Sequence, residues 1–174
     1  MGAIHPRKNV HRLIQAFDQF KTHTASSIKL VLAGRFGWQT GEVKTAYEQA
    51  KHQKDILFLG YTEENLLPKL MAAATALTYI SHFEGFGVPL LEAMYCEVPI
   101  IAADCAALPE VSGEAALLVN PNIISEIVVA MDKVVNNEAV RLNLVLKGKL
   151  QRKKFSWTNS AAIVYQQLLE ATAE

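Results

Sequence analysis

Apolar positions along the chain follow two alternating rhythms. From Asn9, the stretch "NVHRLIQAFDQF" sets Val10, Leu13, Ile14, Phe17 and Phe20 three and four residues apart. That spacing predicts an amphipathic helix with Asn9 as its N-cap. "IKLVLAG", from Ile28 to Gly34, is an apolar run stopped by glycine; too short for a helix, it predicts a buried strand. The alternation then repeats. A helical stretch around Glu42 to His52 precedes the strand "DILFLG" (Asp55 to Gly60), and Pro68 to Ala74, with proline tolerated in a first turn, precedes "ALTYIS". "PLLEAMYC" precedes "VPIIAADC", and "AALLVNP" closes the series. Short apolar runs that alternate with helices predict an α/β domain built on a mainly parallel sheet. Further on, Ile124 to Arg152 reads as helical twice over, and "FSWTNSAAIVYQQLLEA" starts a last helix with Ser156 as N-cap. These three helices are expected to flank the sheet. No linker, repeat or low-complexity tract interrupts the pattern, so residues 1–174 read as a single domain.

Composition narrows the partner. With 51% hydrophobic residues, a chain of 174 residues can bury one sizeable core. Seventeen basic residues balance seventeen acidic ones, so nothing suggests the broad positive field that holds nucleic acid or anionic lipid. A small molecule is the expected partner. Cys96 and Cys105 have neither metal-ligand nor redox-pair spacing, which fits a reducing compartment, read as cytoplasm. No apolar run approaches a membrane span, and the start "MGAIHPRKN" has no apolar export core.

One stretch carries the chemistry. "ALTYISHFEGFGVPLLEAM" is a strand, a loop and a helix start in that order, and ligands of open parallel sheets bind beyond the carboxyl ends of the strands. The helix start offers unpaired N–H groups and partial positive charge, and Gly85 and Gly87 let a phosphate approach them closely. Pro89 suits a first helical turn. Glu92, about one turn in, is placed to accept from the hydroxyls of a ribose, and Glu84, before the glycines, from a sugar beyond the phosphates. On spacing alone, Glu92 is equally a partner for the helix dipole and the glycines equally a tight turn. Arg7 and Lys8, in the loop before the first helix, and Arg35, after the strand "LVLAG", are candidate phosphate cations or else solvated surface charges.

At "HPRKN…LIQAF", "LVLAG", "FLGY", "EGFGVPLLEAM", "VPIIAAD", "LPEV", "AALLVNP" and "FSW", nearly the whole chain resembles the retaining GT-B glycosyltransferases of family 4. Glu84 and Glu92 match that family's E-x7-E signature. The resemblance implies a Rossmann-like, doubly wound parallel sheet that forms the C-terminal, donor-binding half of a GT-B fold. "GAI" would then be the stub of a truncated first strand, leaving unpaired edges that invite self-association. It further implies that Glu84 contacts hydroxyls of the transferred sugar, and that Gly85, Phe86, Gly87 and Val88 present backbone to the sugar and diphosphate. Glu92 would hold the ribose. Lys8, with Arg7, would stabilise the leaving diphosphate, and Tyr61 and Thr62 would border the base. The donor is a nucleotide diphosphate sugar, with mannose from a guanosine donor preferred, and transfer retains anomeric configuration with no metal or other cofactor.

Two positions depart from the family pattern. Ala3 stands where some members carry an arginine, and Asp104-Cys105-Ala106-Ala107 replaces a Ser-rich loop, so no ligand role is transferred there. The acceptor half and its histidine are expected in an N-terminal domain outside this sequence, which makes this piece inactive alone. Any membrane association would come through that half, and the last helix, around Trp157 to Glu170, resembles the family segment that reaches back toward it, which would leave an apolar face uncovered in this piece. A non-catalytic nucleotide or sugar-phosphate binding module is the alternative. A dinucleotide oxidoreductase fits poorly because no G-x-G-x-x-G follows the first strand, and His5, His11, His23, His52 and His82 lack metal-site spacing.

Overall fold

The expected alternation becomes five short strands, every pairing of which is parallel. The computed structural model describes residues 2–37 and 40–172. A 3-10 turn, Pro6–Lys8, leads into α1 (Val10–His23), β1 (Leu30–Ala33) and α2 (Gly41–Gln49). Next come β2 (Ile56–Gly60), α3 (Leu67–Ala72), β3 (Leu77–Tyr79), α4 (Val88–Tyr95), β4 (Ile100–Ala103), α5 (Leu108–Ser112) and β5 (Ala116–Val119). Helices α6 (Ile124–Asn136), α7 (Glu138–Gln151) and α8 (Trp157–Thr172) complete the chain. The short helix α5 lies over "LPEVS", where no helix was expected, because five residues are too few to show a period.

The strands form two sheets, β1-β2 and β3-β4-β5. Just past β1, Ile4 makes an isolated parallel bridge with Phe36, its N–H donating to the Arg35 carbonyl at 2.8 Å. Side chains alternate across a strand, so the sheets carry two cores on opposite faces. Ile80, Ile101 and Val119 join α1, α2 and α6 in one, whereas Leu77, Tyr79, Ile100 and Ala102 join Met71 of α3, α4 and α5 in the other.

Two expectations about helices need correction. Asn9 occupies the N-cap position of α1, yet its side chain makes no cap hydrogen bond. Its backbone is left-handed (φ 56°), a region that asparagine tolerates better than most residues. The fully buried amide turns inward, and its Nδ2 donates to the carbonyls of Ile80 at 3.2 Å and Pro121 at 2.7 Å. With Nδ2 held by these carbonyls, Oδ1 accepts from Arg12 Nη1 at 3.1 Å instead of from the helix terminus. The second correction concerns α8, which starts as expected, with Ser156 Oγ accepting from the Asn159 N–H at 3.1 Å. No residue of α8 is buried, so it does not flank the sheet. Both faces are already covered by the helices of the two cores.

Candidate active site at the carboxyl ends of the strands

The residues after β3 and those before α1 meet around one carboxylate. The Arg7 carbonyl accepts from the His82 N–H at 2.8 Å, which ties the "HPRKN" turn to the "SHFEG" loop. Lys8 Nζ then donates to Glu84 Oε1 at 2.7 Å, and Arg7 Nη1 to Glu84 Oε2 at 2.9 Å. Each carboxylate oxygen has its own cation. Lys8 also donates to the Tyr79 hydroxyl at 2.5 Å and lies 4.8 Å from that ring's centre, while Arg7 reaches the Phe83 carbonyl at 3.1 Å. The two cations differ in access: the Lys8 side chain is 14% exposed and the Arg7 side chain 47%.

Electrostatics follow from this geometry. Burial opposes ionisation of Glu84, but the hydrogen bonds from Lys8 and Arg7, with the Ser81 hydroxyl nearby, outweigh it and bring its pKa down to about 2. Tyr79 moves the other way. Burial, followed by the adjacent Glu84 carboxylate, pushes its phenol far above the ordinary range. Tyr79 is therefore a neutral acceptor for Lys8, and the cluster of two cations and one anion keeps a net positive charge at neutral pH. The Ser81 hydroxyl lies close enough to influence both neighbours, yet it is buried and meets no partner at hydrogen-bond geometry.

Helix α4 begins beside this cluster. Gly85 and Phe86 are exposed and Gly87 is buried, so the peptide groups after Glu84 run from solvent into the fold. Gly87, the N-cap, has φ 101° and no capping side chain. A Cβ there would fall 2.7 Å from Leu108 Cδ2, so both conformation and space call for glycine. The first-turn amides of α4 thus have no side-chain acceptor and carry the positive end of the helix dipole. Val88 and Glu92, on the same helix, are both exposed.

A second group gathers beyond β1 and β2. The Gly34 N–H donates to the Gly60 carbonyl at 2.8 Å, which closes the two strand ends together. Arg35 stacks its guanidinium 4.5 Å from the centre of the Tyr61 ring, and Thr62 Oγ1 donates to the Gly60 carbonyl at 3.5 Å. All the predicted site residues therefore lie at the carboxyl ends of strands, in two clusters: Arg7, Lys8 and Glu84 with the start of α4, and Arg35 with Tyr61 and Thr62.

The glycosyl transferases group 1 family pattern matches residues 1–151. The chain belongs to that family. Over 159 residues it is 36% identical to the O-antigen chain mannosyltransferase B of Escherichia coli, which covers 91% of this chain and 42% of that protein. The C-terminal domain of a glycosyl transferase group 1 protein, LpcC, from Francisella tularensis superimposes with a TM-score of 0.78. Identity to it is 25%, over 88% of this chain and 82% of that one. The fold also matches Anabaena Alr3699/HepE, solved in complex with UDP and glucose, with a TM-score of 0.78 and 22% identity over 99% of this chain and 47% of that one. The architecture is thus the Rossmann-like C-terminal domain of a GT-B glycosyltransferase. The chain spans less than half the length of the curated relatives it matches.

Several supports of this group 1 site escaped the sequence reading. Tyr79 looked like an ordinary strand residue, and its link to Lys8 spans 71 positions. Arg12 Nη1 lies 3.3 Å from His82 Nε2 and donates to Asn9 Oδ1 at 3.1 Å; burial, then the Arg12 charge, lowers the His82 pKa. Cys105 Sγ donates to the carbonyls of Ser81 at 3.4 Å and His82 at 3.3 Å, so the Asp104–Ala107 loop braces the Glu84 loop. Phe155 stands edge-on to Phe86, with ring centres 5.6 Å apart. Local period and spacing gave no signal for these contacts, each of which depends on the packed fold.

Proposed function

We propose that this domain binds the nucleotide diphosphate sugar donor of a retaining glycosyltransferase, with mannosyl transfer in polysaccharide or glycolipid assembly as the reaction of the whole enzyme. The observation that carries this reading is the Glu84 carboxylate held between Lys8 and Arg7 next to the uncapped start of α4. The relatives named as mannosyltransferases support the sugar.

In this reading the diphosphate lies against the α4 amides and takes up the exposed guanidinium of Arg7, while Lys8 stays anchored between Tyr79 and Glu84. Cleavage of the anomeric bond puts negative charge on the departing diphosphate and positive character on the sugar. Fixed cations and a helix N-terminus stabilise that charge without reorganising at the moment of reaction. Glu84, ionised throughout the neutral range, orients Lys8 and Arg7 and accepts from sugar hydroxyls; it is not required as a nucleophile. Glu92 accepts from the ribose hydroxyls, and the Arg35–Tyr61 stack borders the base. The acceptor site belongs to polypeptide outside this sequence, so the domain alone turns over no donor. A cytoplasmic setting fits the two free cysteines.

Calorimetric titration of the chain with GDP, UDP, ADP and their sugars tests this. One base is expected to bind tightest, with Glu92→Ala weakening it about tenfold, equivalent to ~1.4 kcal/mol. Equal affinity for all the nucleotides, or an unchanged affinity in Glu92→Ala, would overturn the assignment.

A further inference from the structure

Three acceptors converge on one guanidinium beside the Glu84 loop. Arg12 Nη1, in the first turn of α1, lies 3.1 Å from Asn9 Oδ1, 3.1 Å from His11 Nε2 and 3.3 Å from His82 Nε2. A guanidinium only donates, so each ring faces it with a bare Nε2 and keeps its proton on Nδ1. His11 agrees, since its Nδ1 lies 3.5 Å from Glu42 Oε2. Both imidazoles are neutral in this arrangement, and protonation of either sets a second cation against Arg12 at contact distance.

Of the two rings, His82 belongs to the donor loop. Its N–H donates to the Arg7 carbonyl at 2.8 Å, its carbonyl accepts from Cys105 Sγ at 3.3 Å, and two residues on Glu84 pairs with Arg7 and Lys8. The flanking side chains give little anchorage, because Phe83 is exposed and the Ser81 hydroxyl meets no partner. The ring ties the loop to α1. Nor is a proton on it offset by its surroundings: Glu84 is taken up by Lys8 and Arg7, Glu42 of α2 faces His11, and the loop after β4 presents the Cys105 thiol. Burial, then the Arg12 charge, holds the ring below its ordinary 6.5.

We propose that Arg12 is a positioning residue of the donor site: by donating to the neutral His82 ring it fixes the loop that carries Glu84, and with it the Arg7–Glu84 pair. Protonation of His82 releases the ring from Arg12 and loosens that loop. Since the folded ring titrates below 6.5, the loop is held at neutral pH and let go only in acid. The consequence for the donor rests on the reading of the site given above; the positioning of the loop does not. A histidine that merely added charge beside a diphosphate would act in the opposite sense, tightening binding as it protonates.

The parent chain, Arg12→Met and His82→Gln are compared from about pH 8 to about pH 5. Amide exchange, corrected for the intrinsic effect of pH, reads the loop, and the NMR titration of the His82 ring reads its charge. In Arg12→Met at the upper pH, exchange at residues 82–87 is expected to speed up about tenfold while Leu77–Tyr79 and Ile100–Ala103 stay unchanged, and the His82 titration should move up toward 6.5. The parent should show the same loosening on acidification, and His82→Gln, which has no proton to gain, a flat profile. Calorimetry with GDP-mannose and UDP-glucose, whose phosphates do not titrate in this range, reads the donor: the sugar nucleotide that binds should lose about tenfold in affinity in Arg12→Met at the upper pH, and in the parent on acidification. Unchanged loop exchange in Arg12→Met would overturn the proposal, as would affinity that rises in acid. Should Arg12→Met fail to fold, the parent and His82→Gln profiles decide by themselves, identical pH dependence in the two counting against it. If neither sugar nucleotide binds the parent, the donor assignment falls and the exchange result still decides the positioning.

Discussion

Glu84 shows how much one side chain depends on its neighbours. Its carboxyl is depressed from an ordinary 4.5 to about 2 because Lys8 and Arg7 each hold one oxygen. A folded-state pKa below the unfolded one contributes stability that is fully present above about 4.5 and is lost as pH falls from there toward 2. Glu84→Gln is therefore expected to flatten the acid limb of a thermal-unfolding series between those pH values. At neutral pH the variant should melt roughly 2–4 °C lower, a modest effect because Arg7 is half exposed and screened by water. An acid limb identical to that of the parent protein would show that the ion pairs contribute nothing to folding. The motif made Glu84 and Lys8 legible as candidates, but their mutual contact was not, since 76 positions separate them. The sequence reading sent the acid to a sugar and the cations to phosphates; folding brought all three together.

Among the elements, α4 and α8 stand at opposite extremes. Helix α4 buries Leu90, Ala93 and Met94 and starts at a glycine that no other residue could replace without strain, so its N-terminus is held firmly beside Glu84. Helix α8 buries nothing, and Trp157 is 92% exposed. Ile163, Tyr165 and Leu168 are exposed as well, so α8 presents apolar surface without a core of its own. Burial is what stabilises a helix in a folded chain. Removal of residues 157–172 should accordingly shift the calorimetric melting temperature by less than about 2 °C, and should reduce any concentration-dependent association seen by sedimentation velocity. A large fall in melting temperature would show that α8 docks in solution. Its existence was legible from its pattern and its Ser156 cap, and its uncovered apolar face from the family resemblance alone, because periodicity reports an apolar face without naming what covers it.

For the molecule as a whole, Asn9 acts as a clasp. Its side chain joins the start of α1 to the ends of β3 and β5, and α1 packs against both α2 and α6. Asn9→Ala would strand two buried carbonyls and force alanine into φ 56°, costing about 2–4 kcal/mol. Chemical denaturation should show that loss as a lower midpoint with an unchanged slope; a difference under about 0.5 kcal/mol would remove Asn9 from this role. By itself the sequence determined the α/β class, the order of strands and helices and the glycine-rich helix start, because each rests on local period and local turn chemistry. Only the tertiary structure decided that Asn9 faces inward and that Glu84 is clamped by two cations. Those outcomes depend on which distant groups compete for the same carbonyl, edge or charge, and such competition is settled only when the whole chain has packed.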